Sequence, residues 1–214
     1  MGSIDYKTLY DLQDRVLDTV FKTEQVFYLT GGTCLNRFYY EKRYSDDLDF
    51  FTHNDRDFNR GFRSLRRVLK DNFSNVQEEV TSRDFIRIKI DGLLQVDFVN
   101  DRVKRYGELV YLDNGYIIDN CKNIFVNKIT AVIGRDNPKD IFDLYLLDKF
   151  NDFDFKELLD VAHKKAEFSN DDFIIRLKAF PLSLLDNITL KDVSFLDDFK
   201  NRYFQLIEKF EKSL

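Results

Sequence analysis

Residues 29–52, LTGGTCLNRFYYEKRYSDDLDFFT, constrain the fold of this chain more than any other stretch. An apolar run ends at Gly31-Gly32, and a second apolar run with several aspartates closes the segment. The order predicts a strand, a glycine turn, a short helix over residues 34–41 and a second strand. Two glycines at a strand end let the backbone turn sharply, and the N–H groups that start the next helix can then meet phosphate oxygens.

The second predicted strand carries two carboxylates on one face. Side chains alternate along a strand, so Asp47 and Asp49 lie together while Leu48 and Phe50 point the other way. Two carboxylates on one face repel each other unless a cation or a proton lies between them. Such oxygen ligands hold Mg²⁺, which neutralises a triphosphate in nucleotidyl transfer. An isolated Asp-x-Asp pair is more often a polar face turned to water, but the glycine turn before this pair favours a function.

A third aspartate lies further along the chain, in an apolar context. Alternating residues predict a strand over 86–90, Asp91-Gly92 is a hairpin signal, and residues 93–99 form the next strand. Asp97 lies in the middle of that strand, where aspartate is uncommon. If this strand neighbours the one with Asp47 and Asp49, at ~4.8 Å, the three carboxylates come together. The alternative is an aspartate at a strand end that faces solvent.

These residues resemble a known family. Gly31-Gly32-Thr33, followed by the RYSDDLDF of residues 43–50, is similar to the pattern G-G-[ST]…R-x-S-x-D-[LI]-D-[FL]. That pattern is typical of the nucleotidyltransferases of the DNA polymerase β-like superfamily. The similarity is strongest to the AbiEii/AbiGii-type toxins, which are relatives of the MenT toxins. The resemblance extends weakly to about Leu147 and fades in the last third of the chain.

The resemblance implies an α+β fold, with a polymerase β-like core of a small mixed sheet flanked by helices and a C-terminal helical bundle. It implies that an NTP is the substrate and that Mg²⁺, or Mn²⁺, is the cofactor. The residues expected to hold the metal and to act in catalysis are Asp47, Asp49 and Asp97. The residues expected to contact the nucleotide phosphates are Gly31, Gly32, Thr33 and Ser45.

Two charged residues in predicted helices are further candidates. Lys128 falls within an apolar stripe, where a lysine usually extends its amine to the edge, although a partly buried amine is also stabilised by a phosphate. Asp143 lies in the apolar run 141–147 and needs a partner, for which Lys139 and Arg135 are near enough in sequence. A structural ion pair between two helices explains Asp143 equally well. The resemblance implies that Lys128 offsets charge on the triphosphate and that Asp143 helps to fix the lysine or the active site.

The character of the sequence changes near residues 119–122, from mixed strand and helix patterns to helix patterns alone. We expect a catalytic half over residues 1–121 and a helical half over residues 122–214 that completes the active-site cleft. The 214 residues are 43% hydrophobic and contain only 8 Gly and 2 Pro. This composition favours a packed protein with much helix and excludes a disordered one.

The net charge of −5 argues against a general nucleic-acid coat protein, which is usually basic. An RNA partner must therefore be held by a local patch, and two groups of basic residues are candidates. They are Arg60, Arg63, Arg66, Arg67 and Lys70 in one predicted helix, and Arg102, Lys104 and Arg105 further on. A solvated helix face and a charged turn explain these residues equally well.

Cysteine usage and hydropathy indicate the compartment. Cys34 and Cys121 are far apart and lack a metal-ligand spacing, so free thiols in a reducing cytosol are the simplest account. No apolar run reaches the ~18–20 residues needed to cross a bilayer, and the N-terminus lacks a signal-peptide core. We expect a cytoplasmic protein with no membrane attachment.

The sequence thus predicts an enzyme that transfers NMP from an NTP to an acceptor hydroxyl. The resemblance implies an RNA acceptor, in particular the 3′ end of tRNA, and a toxin that pairs with an antitoxin and is linked to phage defence. One alternative is NMP transfer to a protein or a small molecule. Another is a non-catalytic nucleotide-binding module, which Asp47, Asp49 and Asp97 argue against because repelling carboxylates are unsupported without a metal.

Overall fold

A computed structural model describes residues 5–214, apart from the side chain of residue 55. Its strands are β1 (Tyr28–Thr30), β2 (Asp47–Thr52), β3 (Val76–Thr81), β4 (Phe85–Ile90), β5 (Leu94–Asn100), β6 (Val110–Tyr111) and β7 (Ile117–Ile118). Its helices are α1 (Tyr6–Thr23), α2 (Gly31–Phe38), α3 (Asp55–Asn72), α4 (Cys121–Gly134), α5 (Pro138–Phe150), α6 (Phe155–Lys165), α7 (Asn170–Ala179) and α8 (Ser194–Lys212). A 3₁₀ segment, Leu182–Asn187, lies between α7 and α8.

The described residues form two compact units. The first contains the chain up to Cys34 together with Ser45–Asp119. The second contains Asn120–Leu214 and also the earlier segment Leu35–Tyr44. The division after Asp119 lies close to the boundary expected from the sequence, whereas the transfer of Leu35–Tyr44 to the second unit has no counterpart in that expectation. The division falls inside α2, so one helix contributes residues to both units.

All seven strands belong to one mixed sheet in the first unit, in the order β3-β4-β5-β2-β1-β7-β6. β4 and β5 form the antiparallel hairpin that Asp91-Gly92 predicts, and both turn residues have positive φ, at 49° and 67°. β5 lies parallel to β2, in register from Asp47 to Thr52. Asp97 could join Asp47 and Asp49 only if its strand neighboured theirs. The pairing of β2 with β5 meets that condition.

One face of this sheet is covered by α1 and α3. Phe50 of β2 and Phe98 of β5 stack there, with ring centroids 5.3 Å apart. Phe21 of α1 contacts Phe50, and Phe62 of α3 contacts Phe98, both edge-to-face. Because side chains alternate, the aspartates of β2 and β5 lie on the opposite face of the sheet from α3.

The turn between β1 and α2 differs in detail from the prediction. The helix begins at Gly31 itself and ends at Phe38, earlier than the predicted range 34–41. The amides of Tyr39 and Tyr40 both bond to the carbonyl of Leu35. Glu41 adopts φ +53°, in the left-handed region, and a helix cannot continue through that conformation.

The second unit is helical, as predicted for the C-terminal part. Phe125 of α4 packs on Phe155 of α6 and on Phe210 of α8, with ring centroids 5.2 and 5.9 Å away. Asn137 caps α5 by accepting from the amide of Lys139, and Pro138 takes the first helical position. Among the described residues, no helix is both long enough and apolar enough to span a bilayer.

Candidate active site

A row of polar side chains crosses the sheet on the face away from α3. Arg87 of β4 faces Asp97 of β5, Asp97 faces Asp49 of β2, and Asp49 faces Thr30 of β1. The hydroxyl of Thr30 donates to Asp119, which follows β7, at 2.6 Å. Neighbouring strands are ~4.8 Å apart, so residues in register bring their side chains into contact distance. The row therefore collects polar side chains from four strands and one strand end, and all of them except Thr30 are charged.

The three aspartates expected to bind metal lie on this face of the sheet. Asp49 and Asp97 are direct neighbours across the β2–β5 pair, and Asp47 lies on the same face two residues before Asp49. Asp97 is only 6% exposed, whereas Asp47 and Asp49 are half-buried. Carboxylates this close repel each other unless positive charge lies beside them.

Arg87 supplies positive charge to Asp97. Its Nε donates to Oδ1 at 2.8 Å and its Nη2 donates to Oδ2 at 2.7 Å, the two-pronged geometry that arginine forms with carboxylates. Gln95 adds a third, longer donation at 3.3 Å. The hydrogen bonds to Asp97 raise the pKa of Arg87 further, and the charge of Asp49 contributes in the same direction.

Arg87 is a residue that the sequence analysis overlooked, although a signal for it existed. The hairpin places Ile90 opposite Leu94. Arg87 lies three residues before Ile90 and Asp97 lies three residues after Leu94, so the two face each other across the hairpin. Asp119 was also overlooked, and it has no comparable local signal because its contact with Thr30 spans 89 positions of sequence.

The aspartates fit a divalent cation by ligand chemistry, since Mg²⁺ and Mn²⁺ prefer carboxylate oxygens. Nevertheless, among residues 5–214 no three His, Cys, Asp or Glu side chains converge closely enough to hold a metal ion. Both oxygens of Asp97 are directed at Arg87. The donor set is therefore present on one face, with Asp97 engaged by a protein cation.

Gly31 makes the close approach of the backbone to Asp49 possible. Its φ is +72°, and a Cβ built on it would lie 2.5 Å from Oδ2 of Asp49. α2 starts at this residue, and the first turn of a helix attracts anions through its N–H groups and its dipole. The glycine turn thus places the start of α2 beside the carboxylate of Asp49.

Thr33 and Ser45 have buried hydroxyls that bond within the unit. Their hydroxyl oxygens are 2.8 Å apart, and the Thr33 hydroxyl also reaches the carbonyl of Asp47. Gln13 donates to the carbonyl of Ser45 at 2.9 Å. These contacts position the start of β2 and therefore Asp47. A phosphate contact through these two hydroxyls remains a prediction.

Asp143, in the second unit, is fully buried and has three donors. Arg43 binds both of its oxygens at 2.8 and 2.7 Å, Lys128 binds Oδ2 at 2.7 Å, and Asn36 donates to Oδ1 at 3.1 Å. Burial raises the pKa of Asp143, but Arg43 and Lys128 outweigh burial and lower it to about 2. The partners considered from the sequence, Lys139 and Arg135, were wrong for this residue. Arg43 was overlooked because it lies 100 positions away.

Lys128 is buried and bonded to two carboxylates. Besides Asp143 it contacts Asp140 at 2.7 Å, and Arg135 binds Asp140 from the other side, also at 2.7 Å. Burial lowers the pKa of Lys128, but the two aspartates outweigh it and raise the pKa above its ordinary value. The contact with Asp143 agrees with the idea that this aspartate fixes the lysine. Charge neutralisation of a triphosphate by Lys128 remains a prediction, and it requires the amine to leave at least one carboxylate.

Comparisons with known proteins identify one protein family. The family described as nucleotidyl transferase AbiEii toxin, type IV toxin–antitoxin system, matches residues 15–111 and 120–214. An uncharacterised protein of Aquifex aeolicus (strain VF5) is 33% identical over 153 residues, which cover 72% of this chain and 71% of that protein.

Two solved structures share the fold across almost the whole chain. JHP933 from Helicobacter pylori superposes with a TM-score of 0.60 at 19% identity, covering 99% of this chain and 96% of the other. MenT4, a nucleotidyltransferase toxin from Mycobacterium tuberculosis H37Rv, superposes with a TM-score of 0.57 at 14% identity, covering 98% and 87%. At these identities the likeness concerns the fold, and it confirms the predicted α+β nucleotidyltransferase architecture.

Proposed function

The chain belongs to the AbiEii nucleotidyltransferase toxin family, and from that premise we propose that the polar row of the sheet is where it transfers NMP from an NTP to an acceptor hydroxyl. The family expected from the glycine turn and the aspartates is confirmed, and the protein is a nucleotidyltransferase. The observation that carries the location of the chemistry is the register of β2 and β5, which sets Asp49 against Asp97 with Asp47 on the same face.

Asp47, Asp49 and Asp97 are the residues that would hold Mg²⁺, or Mn²⁺, through carboxylate oxygens. When bound, such an ion offsets the charge of the triphosphate and of the leaving pyrophosphate. The start of α2 at Gly31 and Gly32 binds phosphate oxygens through backbone N–H groups. The close approach of Gly31 to Asp49 keeps the phosphates and the carboxylates within one site.

The reaction forms a bond between the acceptor oxygen and the α-phosphorus, and it breaks the bond from that phosphorus to the β-phosphate. The proton of the acceptor hydroxyl needs a base, and the carboxylate of Asp97 takes that role when it does not bind metal. Lys128 and Asp143 are proposed as further residues required for transfer, in which Asp143 holds the lysine in its charged form.

An RNA end, in particular the 3′ end of tRNA, is the acceptor we propose. Of the two basic groups found in the sequence, the one on α3 covers the sheet face opposite the aspartates. Arg105 lies instead over the ring of Tyr28, at 5.6 Å, and Tyr28 shares its face of β1 with Thr30. The RNA backbone therefore meets positive charge near Arg105 rather than along α3.

A labelling experiment tests this function. The protein is incubated with each radiolabelled NTP, Mg²⁺ and total tRNA, and the label is followed in RNA and in protein. We expect label in RNA, and we expect Asp47→Asn to abolish it. Label in protein instead would identify a protein hydroxyl as the acceptor. Undiminished transfer by Asp47→Asn would show that the site assignment is wrong.

The type IV toxin–antitoxin family also implies a cognate antitoxin protein. We propose that such a partner opposes the activity in the cell, in a system linked to phage defence. Expression of the intact protein should arrest growth, and expression of Asp47→Asn should not. If both proteins arrested growth, toxicity would not depend on nucleotidyl transfer.

A further inference from the structure

Arg87 has no role in the function proposed above, yet it makes the strongest contacts of any residue with Asp97. The two-pronged pair has donor–acceptor distances of 2.8 and 2.7 Å. Asp97 is 6% exposed, and a carboxylate buried to that degree is costly unless it is paired. Asp49 lies directly beside it on β2 and adds repulsion. Arg87 therefore stabilises a pair of facing carboxylates.

The same contacts put Arg87 in competition with a metal ion. A carboxylate ligand must direct at least one oxygen to the ion, and Arg87 engages both oxygens of Asp97. A guanidinium and a divalent cation at one carboxylate also repel each other. The side chain of Arg87 is 35% exposed, so it has solvent on one side into which its head can move.

We propose that Arg87 is a built-in counter-ion that holds Asp97 in the metal-free enzyme, and that a divalent cation must displace it from that carboxylate. This inference rests on the metal site of the proposed function. Arg87 is a positioning residue: it keeps Asp97 oriented while no metal is present, and it weakens the apparent affinity for the metal. The enzyme thereby avoids an unpaired Asp97 facing Asp49 across β2 and β5.

Calorimetric titration of the EDTA-treated, 214-residue protein with Mn²⁺ tests whether the ion displaces Arg87 from Asp97. We expect Arg87→Gln to bind Mn²⁺ about fivefold more tightly, or more, than the unsubstituted protein, the lower end of typical coupling between two sites. Lys89→Gln is the matched control, because it removes the same charge two residues along the same face of β4, where the facing residue is Gln95. We expect that control to change the affinity by less than about twofold.

Thermal unfolding separates the exchange from a purely structural role. In EDTA, Arg87→Gln should unfold at a lower temperature than the unsubstituted protein, because Asp97 loses its partner. In saturating Mn²⁺ the difference should shrink, since a ligand that binds only the folded state stabilises it. Arg87→Lys keeps the charge but loses the two-pronged contact, so it should give an intermediate affinity and serves if the Gln variant folds poorly.

The outcomes are distinguishable. Arg87→Gln could bind Mn²⁺ no more tightly than the unsubstituted protein while Asp47→Asn abolishes binding. That result would show that the metal does not displace Arg87, and the metal site would stand. An unfolding deficit of the same size with and without Mn²⁺ would likewise make Arg87 merely structural. Mn²⁺ binding that is absent, or that Asp47→Asn does not affect, would overturn the metal site and the exchange with it.

Discussion

At the scale of single residues, the approach of the backbone to the carboxylates depends on one glycine. Gly31 directly follows β1, starts α2 and leaves only enough room for the carboxylate of Asp49. Its φ of +72° is a conformation that L residues rarely adopt. Both conditions follow from the sharp return of the chain between the strand and the helix.

Gly31→Ala should therefore cost stability and activity together. The left-handed backbone alone costs about 1 to 3 kcal/mol of unfolding free energy. The added methyl group would displace Asp49, and a misplacement of about 1 Å can reduce a rate about 100-fold. Urea unfolding and the labelled-NTP assay measure the two effects.

Gly92→Ala is the control for this substitution. Gly92 also has a positive φ, +67°, but nothing lies within 4 Å of a Cβ built on it. It should lose comparable stability and keep its transfer activity. If the two variants were equally active, close approach to Asp49 would not be the reason for a glycine at position 31.

At the scale of elements, the strands bring the row of polar side chains together, and two helices cover the other face of the sheet. α1 and α3 cover the face with Phe50 and Phe98, so the charged row lies on the other face. Arg105 contacts Tyr28 on the polar face, whereas Arg63 projects from α3 and is exposed. These two arginines make similar local contacts, since each donates its Nε to a backbone carbonyl.

Arg105→Gln should weaken RNA binding more than Arg63→Gln. Loss of one phosphate contact reduces the slope of log affinity against log salt by about 0.7 to 1. Fluorescence anisotropy with labelled tRNA at several salt concentrations measures that slope for both variants. A slope that changes only in Arg63→Gln would place the acceptor on α3 and contradict the assignment of the polar face.

Arg43, Lys128, Asp140 and Asp143 form a buried ion cluster in the second unit. This cluster makes the stability of the unit depend on acidic pH. The pKa of Asp143 falls to about 2 in the folded state from an ordinary value of 3.8. A carboxylate with a lowered folded pKa stabilises the protein above its unfolded pKa, and this contribution is lost as the pH falls through the folded value. The loss therefore occurs between pH values of about 4 and 2.

Asp143→Asn should lower the unfolding free energy at neutral pH by about 3 to 5 kcal/mol, because Arg43 and Lys128 remain buried without their carboxylate. The gap between this variant and the unsubstituted protein should narrow as the pH falls from about 4 to about 2. Urea unfolding at a series of pH values measures the gap. Asp160→Asn, at an exposed position of α6, is the control and should show no gap. A constant gap for Asp143→Asn would mean that its charge is not what stabilises the cluster.

At the scale of the whole molecule, the two compact units are not consecutive in sequence. Leu35–Tyr44 leaves the first unit and supplies Asn36 and Arg43 to the second. The helical region after residue 120 therefore forms its compact unit together with an earlier segment of the chain. Asp143, which belongs to it, takes its two-pronged partner from the early segment.

A fragment of residues 120–214 should accordingly fold poorly. Without Arg43, Asp143 keeps only Lys128 as a cationic partner, and a buried carboxylate with incomplete pairing is unfavourable. Circular dichroism during heating should show a broad transition or none. In this fragment Asp143→Asn should lower the unfolding free energy by less than it does in the 214-residue chain. A sharp transition with an undiminished cost would show that Arg43 contributes little.

The sequence by itself determined the parts of this protein that depend on neighbouring residues. Alternation placed Asp47 and Asp49 on one face, Asp91-Gly92 marked the hairpin, and Asn137 marked a helix start. These patterns act over a few residues, where backbone geometry is almost fixed by the local chain. The family pattern in residues 43–50 added the nucleotidyltransferase identity.

Only the tertiary structure decided which distant charges meet. It set Asp97 against Asp49, joined Thr30 to Asp119 and brought Arg43 to Asp143. Several of these side chains are buried, and a buried charge must find a partner wherever packing brings one. Packing depends on how strands order themselves in the sheet and on which helix covers which face. Those arrangements are settled by the whole chain at once, so no local pattern of residues contains them.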